Sequence, residues 1–286
     1  MKAKTHATDD VPGASIGRPE QARLLRYSEE VKASSAWNET LETILGHRSI
    51  RQYSSATIPD GTVELLVAAA QSAPSSSNTQ VWSVVLVKEP ATRRRMAELA
   101  GNQDHIVEAP VFLVFLADLA RAEAIGRARG TVLEALDYTE SFLLATIDAA
   151  LAAQNAVVAA ESLGLGTVYI GALRNAPEEV AELLKLPARC AAMFGLCVGY
   201  PAPSVITDVK PRLPQEAVLH FECYGQDKQA DAISRHDFHS IAFRKKQGLP
   251  PVAWTNQIID RWRTVASLTG RHVLRYALNR LGFPLK

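Results

Sequence analysis

Apolar positions recur at helical spacing from Asn38 onward: Leu41, Ile44 and Leu45 share one face, and the pattern closes at Gly46-His47. Residues 59–72 repeat it, with Val63, Leu66, Val67 and Ala70 facing inward, and end in Ala73-Pro74-Ser75-Ser76-Ser77-Asn78, a run with strong loop chemistry. Two continuous apolar runs, 82–88 and 110–118, predict strands covered on both faces, with a helix over 91–99 between them. A long helix rich in Ala and Leu is predicted over 141–162 and stops at Gly164-Leu165-Gly166. It is apolar nearly all round, which predicts burial at the centre or at a subunit interface. A strand over 167–170, a helix over 177–186 and a strand over 191–199 follow. Beyond Tyr200 prolines punctuate the chain as far as Pro214, and helices are predicted over 231–242 and 256–281. Residues 1–35 are polar and weakly periodic, a mobile extension with one short helix near 19–31. Interleaved strands and helices make this an α/β or α+β domain.

Composition narrows the picture. Of 286 residues, 47% are hydrophobic and 21% charged, ordinary for a globular chain, and the formal net charge of +1 gives no global field for nucleic acid or an anionic membrane. No apolar run approaches the roughly 20 residues needed to span a bilayer, and residues 1–15 lack the apolar stretch of a secretory signal. Cys190, Cys197 and Cys223 form no CxxC pair, which fits a reducing compartment, so a cytoplasmic protein is expected.

Four short segments carry candidate chemistry. In Gly46-His47-Arg48-Ser49-Ile50-Arg51 two arginines and a histidine follow a helix end, and guanidinium forks suit phosphate; a solvated basic turn is the plain alternative. The hydroxyls and amides of residues 74–80 suit a polar ring edge or a phosphate, although an ordinary loop has the same composition. Residues 164–172 form a strand ending in small residues that let a planar ligand approach the backbone, or that merely permit a tight turn. In Asp208-Val209-Lys210-Pro211-Arg212-Leu213-Pro214 proline holds two cations in fixed relation, unless the segment is an exposed basic loop.

Taken in order, HRSIR, PSSSNTQ, GLGTVYIGALRN, FGLCVGYP and DVKPRLP strongly resemble the flavin-dependent nitroreductase family, most closely its oxygen-insensitive NADPH nitroreductase and flavin reductase branch. The resemblance covers about residues 38–214 and fades beyond. It implies an α+β fold with a central mixed sheet surrounded by helices, and an intertwined homodimer with FMN in the interface. The expected organisation is an N-terminal extension (1–35), an FMN-binding core (36–214) and a C-terminal arm (215–286) that packs on the partner subunit.

The same resemblance implies that His47, Arg48, Ser49 and Arg51, with Lys210 and Arg212, hold the FMN phosphate and ribityl chain. Ser75, Ser76 and Ser77 match a serine loop contributed by the partner. Gln103 matches a glutamine near the cofactor, and Tyr169, Ile170, Gly171 and Ala172 match the strand end against the isoalloxazine ring. Asn78, Arg174, Arg244, Lys245 and Lys246 are candidates for contact with NADPH or the acceptor. The implied reaction is ping-pong: NADPH, with NADH possible, gives hydride to flavin N5, and a nitroaromatic, quinone or free flavin then takes two electrons. No side chain is expected to act as nucleophile.

Three positions depart from the branch: Asn78 where an aromatic is common, Ala172 where glycine is, and Asp104 where a basic residue is. The first two are expected to reshape the acceptor pocket. All three motivate a second reading, a non-catalytic flavin-binding or sensor protein on the same fold. His236 and His239 are expected on a solvated helix face rather than on a metal, Arg93-Arg94-Arg95 on the surface, and Cys197 in the core.

Overall fold

The computed structural model describes residues 18–29, 36–205, 207–227 and 229–286. Four strands, β1 (Trp82–Leu86), β2 (Val111–Asp118), β3 (Gly166–Ile170) and β4 (Cys190–Gly199), form one sheet in the order β1-β2-β4-β3. All three strand pairs are antiparallel. The mixed character expected of the sheet is confined to an isolated parallel bridge, Ser49 with Thr167 at the β3 edge.

Eleven helices surround the sheet among the described residues: α1 (Arg18–Tyr27), α2 (Glu39–Leu45), α3 (Thr62–Gln71), α4 (Pro90–Leu99), α5 (His105–Glu108), α6 (Ala120–Ala128), α7 (Thr139–Ser162), α8 (Pro177–Leu183), α9 (Gln229–Lys246), α10 (Trp254–Trp262) and α11 (Leu274–Arg280). Every residue of β2 is buried, because both faces are covered. Phe112, Val114 and Leu116 face a cluster with Met96 of α4 and Val180 of α8. Val111, Leu113 and Phe115 face Leu66 of α3 and Ala152, Ala153 and Ala156 of α7. This alternation in a continuously apolar run is the period-two geometry of a central strand. On the α7 side an aromatic row crosses all four strands, Tyr169–Phe194–Phe115–Trp82, with ring centroids 5.3, 5.8 and 6.0 Å apart.

Several expectations change. The 24 residues of α7, with a mean hydropathy of 1.6 over its most apolar window, are by length and composition enough to cross a bilayer. Its alanines bring it close to the sheet, and the buried Asp148 (2% exposed) interrupts the apolar face. The single helix expected over 256–281 is broken: Thr264 caps a short 3-10 turn at Val265–Leu268, and Thr269 (φ 50°) and Gly270 (φ 88°) then turn left-handed. The last residues of the expected arm return to their own chain, where Leu278 and Phe283 are buried and Phe283 meets Phe142 edge-on at 5.2 Å. Arg93 is not on the surface. Its buried guanidinium donates to the carbonyls of Val87 (2.9 Å), Ala109 and Pro110 (3.2 Å), tying the exit of β1 to the entry of β2. Cys197 is in the core, as its apolar strand predicts.

Gly166 joins this scaffold to the candidate site. A Cβ there would meet Ile50 Cγ1 at 2.5 Å, and the Ile50 N–H donates to Thr167 O at 2.9 Å. Gly166→Ala is therefore expected to lower stability by about 1–3 kcal/mol through overpacking; a thermal melt of the variant checks this, and an unchanged Tm contradicts it.

Candidate active site

The segment 46–51 leaves α2 and runs beside β3. Glu161, near the end of α7, accepts from His47 Nδ1 at 2.7 Å and from Thr167 Oγ1 at 2.9 Å, so the histidine faces α7 and is fixed in orientation. Arg48 is exposed and donates to Thr207 O at 3.2 Å, linking this segment to 207–212. Arg51 has no hydrogen bond or ion pair among the described residues, but it lies close enough to influence both Lys210 and His105. Lys210 stays open to solvent on one side. Partial desolvation, then the charges of Arg51, Arg212 and Arg244, hold its ammonium below the ordinary lysine range. Four cations from three segments therefore converge. A cavity of about 470 Å³ opens beside them, lined by Tyr27, Lys210, Arg212, His236, Arg244 and Trp254 among others.

His236 is not solvated as expected. It is buried (4% exposed), packs edge-on against Trp254 at 5.4 Å, and leaves Nδ1 without a partner. His239 stands 3.9 Å from Glu29. Of the three basic residues ending α9, Arg244 joins the cluster and donates to Pro250 O at 2.6 Å. Lys246 pairs with Asp208 at 2.7 Å, and Lys245 is exposed. Gln103 turns back on Ala100 O at 2.9 Å, in the turn leading to His105. His105 is held below the ordinary histidine range by desolvation and then by Arg51, which puts this turn beside the cluster.

At the other end of β3, Tyr169 is partly exposed, Ile170 is buried, and residues 171–175 form a 3-10 turn. The Ala172 methyl joins the core cluster with Ile170 and Leu173. Between Phe115 and Leu116 the register with β4 shifts, and Met193 is the extra residue of that bulge. Its carbonyl accepts from Arg174 Nη1. Desolvation, then the charges of Arg271 and Arg261, hold the Arg174 guanidinium below its ordinary value. Arg271 Nε and Thr269 Oγ1 donate to Asn175 Oδ1 at 2.8 and 3.3 Å, which brings the C-terminal arm onto this turn. Arg261 and Arg271 belong to the stretch 256–281, whose sequence reads as a basic amphipathic helix of a dimer-packing arm and carries no local mark of a site.

None of the eight cations Arg48, Arg51, Arg174, Lys210, Arg212, Arg244, Arg261 and Arg271 forms an ion pair among the described residues. Arg189 and Arg280, by contrast, are held by Glu123, Asp137 and Glu178. In a chain of net charge +1, two clusters of cations without carboxylate partners thus flank one strand.

The serine loop lies elsewhere. Ser76 N–H donates to Asp148 Oδ1 at 3.1 Å, while Asp148 Oδ2 has no partner. Ser77, Asn78 and Gln80 adopt φ of 49°, 56° and 51°, left-handed values that few L residues hold without support. The loop feeds β1 at Trp82, opposite Ala117, whereas Ser49 pairs at Thr167, opposite Val198 and so level with Val111. The two segments occupy diagonally opposite corners of the sheet, about 20 Å apart along the strands and four strand spacings apart across them, since segment 46–51 lies outside β3. Within one chain they do not meet.

Residues 44–200 match the Nitroreductase family and residues 210–286 the Nitroreductase family, C-terminal domain. The chain is 44% identical over 228 residues to the FMN reductase (NADPH) of Bacillus subtilis, covering 78% of this chain and 91% of that protein. It is 42% identical over 198 residues to the oxygen-insensitive NADPH nitroreductase of Salmonella typhimurium, covering 69% of this chain and 79% of the relative. Among solved structures, NfrA2 of B. megaterium superposes with a TM-score of 0.82 at 38% identity, over 87% of this chain and all (100%) of that one. The NADPH:FMN oxidoreductase of Vibrio harveyi in complex with NAD+ gives 0.77 at 37% identity, over 87% and 100%. With the family match running over both the sheet-bearing core and the C-terminal arm, the chain belongs to the nitroreductase family.

Proposed function

We propose that this protein is an FMN-dependent NAD(P)H oxidoreductase that reduces small acceptors (nitroaromatics, quinones or free flavins) by two electrons. The observation that carries this reading is the pair of cation clusters without carboxylate partners, one flanking each end of β3. An FMN phosphate carries close to two negative charges, and the unpaired Arg51, Lys210 and Arg212 fit it, with Arg48 and Arg244 at the margin. His47 and Ser49 belong to the same segment, Gln103 approaches from the neighbouring turn, and Tyr169 and Ile170 at the end of β3, with Gly171 and Ala172 in the turn that follows, offer the surface along which a ring lies. Bound there, FMN supplies the hydride-accepting and hydride-donating chemistry.

The chain's own contribution is positional and electrostatic. The cations 51, 210 and 212 anchor one end of the cofactor. Arg174, presented by the turn after β3 and backed by Arg261 and Arg271, binds the anionic part of NADPH or of an acceptor. Asn78, in the strained serine loop, leaves more room than an aromatic side chain at the acceptor face. The diagonal separation of the serine loop from segment 46–51 supports a homodimer in which Ser75, Ser76 and Ser77 complete the partner's site. The exposed Leu143, Ile147 and Leu151 of α7, one helical turn apart, supply an apolar face for that pairing. A cytoplasmic setting suits the cysteines: Cys190 and Cys197 are buried with thiols pushed up to about 12, and Cys223 is free.

Anaerobic titration of the yellow protein with NADPH is expected to bleach the flavin at one equivalent per FMN, followed by visible absorbance. Protein that stays oxidised with both NADPH and NADH would favour the non-catalytic flavin-binding reading instead.

A further inference from the structure

Arg26 lies in α1, upstream of residue 44, where the family match begins. It is 5% exposed, yet its guanidinium meets no carboxylate at ion-pair distance among the described residues. It is spent instead on main-chain carbonyls. Nη2 donates to Leu45 O at 2.6 Å and to His47 O at 2.8 Å, Nε to Leu45 O at 3.2 Å, and Nη1 to Lys210 O at 3.0 Å. The Arg212 N–H in turn donates to Arg26 O at 2.8 Å.

One residue thus holds, from behind, both segments whose side chains form the first cation cluster. Leu45 O belongs to the last turn of α2, where carbonyls have no helical partner and a cation is favourable. The planar fork of arginine reaches three carbonyls at once, a geometry that a lysine ammonium does not reproduce. Beyond Arg26, α1 is fastened to the C-terminal arm by Glu29 with Arg235 at 3.3 Å and by Gln215 Nε2 donating to Tyr27 Oη at 3.4 Å.

We propose that Arg26 is a positioning residue for the FMN phosphate: it sets the spacing between segments 46–51 and 210–212, and α1 acts as a strap that determines how tightly the phosphate is held. This rests on the assignment of those segments to the phosphate. The strap touches no cofactor atom. It acts on the backbone that aims Arg51, Lys210 and Arg212, so its removal affects a ligand with the phosphate more than one without it.

The test is an equilibrium titration of full-length Arg26→Met and Arg26→Lys with FMN and with riboflavin, read by flavin fluorescence, beside thermal melts of the flavin-free proteins. For Arg26→Met, FMN affinity is expected to fall on the order of tenfold or more while riboflavin affinity stays within about twofold; Arg26→Lys, keeping one or two of the bonds, falls between. Equal weakening of both flavins, or no change in either, overturns the proposal, because a merely structural role does not discriminate between them. If Arg26→Met fails to fold, the FMN-to-riboflavin ratio of Arg26→Lys decides alone. Arg212→Ala is the control: if it leaves FMN affinity intact, the phosphate assignment itself fails, whereas weakening by Arg212→Ala but by neither Arg26 variant sinks only the strap.

Discussion

Arg51→Ala combined with Arg212→Ala is expected to give protein that purifies nearly colourless. Both side chains lack a carboxylate partner and both flank Lys210, whose ammonium they disfavour. With a bound dianion that mutual repulsion turns into shared attraction. Each charge-assisted hydrogen bond to phosphate contributes roughly 1.5–3 kcal/mol, so losing two weakens FMN binding by about a hundredfold or more. Apo-protein stability is expected to hold or rise slightly, since the variants relieve repulsion among like charges. The measurement is flavin occupancy from the visible-to-ultraviolet absorbance ratio, together with a melt of the stripped protein. Full occupancy in the double variant would remove the phosphate from this cluster.

Subunit complementation is the second expected result. Ser76→Trp fills the exposed serine loop, and Arg51→Ala/Arg212→Ala empties the cation cluster; each alone is expected to lack NADPH oxidation. Mixed under conditions that allow exchange, random pairing makes about half the dimers heterodimers, each with one intact site out of two. Activity is then expected to recover to about a quarter of the unmodified protein. The reasoning is geometric: the loop and the cluster lie at diagonal corners of one sheet, so an intact site is expected to draw them from different chains. If one chain supplied both, every site in the mixture would carry a defect and no activity would return.

Much of this arrangement was readable from the chain because it rests on short-range pattern. The runs 82–88 and 110–118 gave β1 and β2 within two residues at each end, and Ala- and Leu-rich spacing gave α7. The basic segments 46–51 and 208–214 stood out because arginine, lysine and proline at close spacing have few uses. What was not readable depends on partners far along the sequence. Arg26 belongs to a polar helix with no local mark, and its acceptors lie 19 to 184 residues away. Arg93 sits in a run of three arginines, and only the tertiary fold says which of them turns inward to carbonyls. His236 had the spacing of a surface residue until Trp254 covered it. The break after α10 follows from Thr264 and Gly270, which local periodicity tolerates but the docking of residues 269–271 onto Asn175 requires. Asp148 was the one legible signal left unused: a lone acid amid the alanines of α7, whose partner is the backbone of the serine loop.

The 184 residues that separate Arg26 from its acceptor at Lys210 also set a timetable. A ribosome adding about 5–20 residues per second delivers Arg26 roughly 10 to 40 seconds before Lys210 exists. Through that interval α1 has Leu45 and His47 within reach but nothing to bridge them to, and the sheet gains β4 before the bridge can close. All four strands of the sheet therefore exist before the anion cradle can close, and the last core residues, Leu278 and Phe283, follow both. Cofactor loading becomes an event of the finished polypeptide, so overproduction that outruns flavin supply would accumulate folded, empty chains rather than stalled fragments.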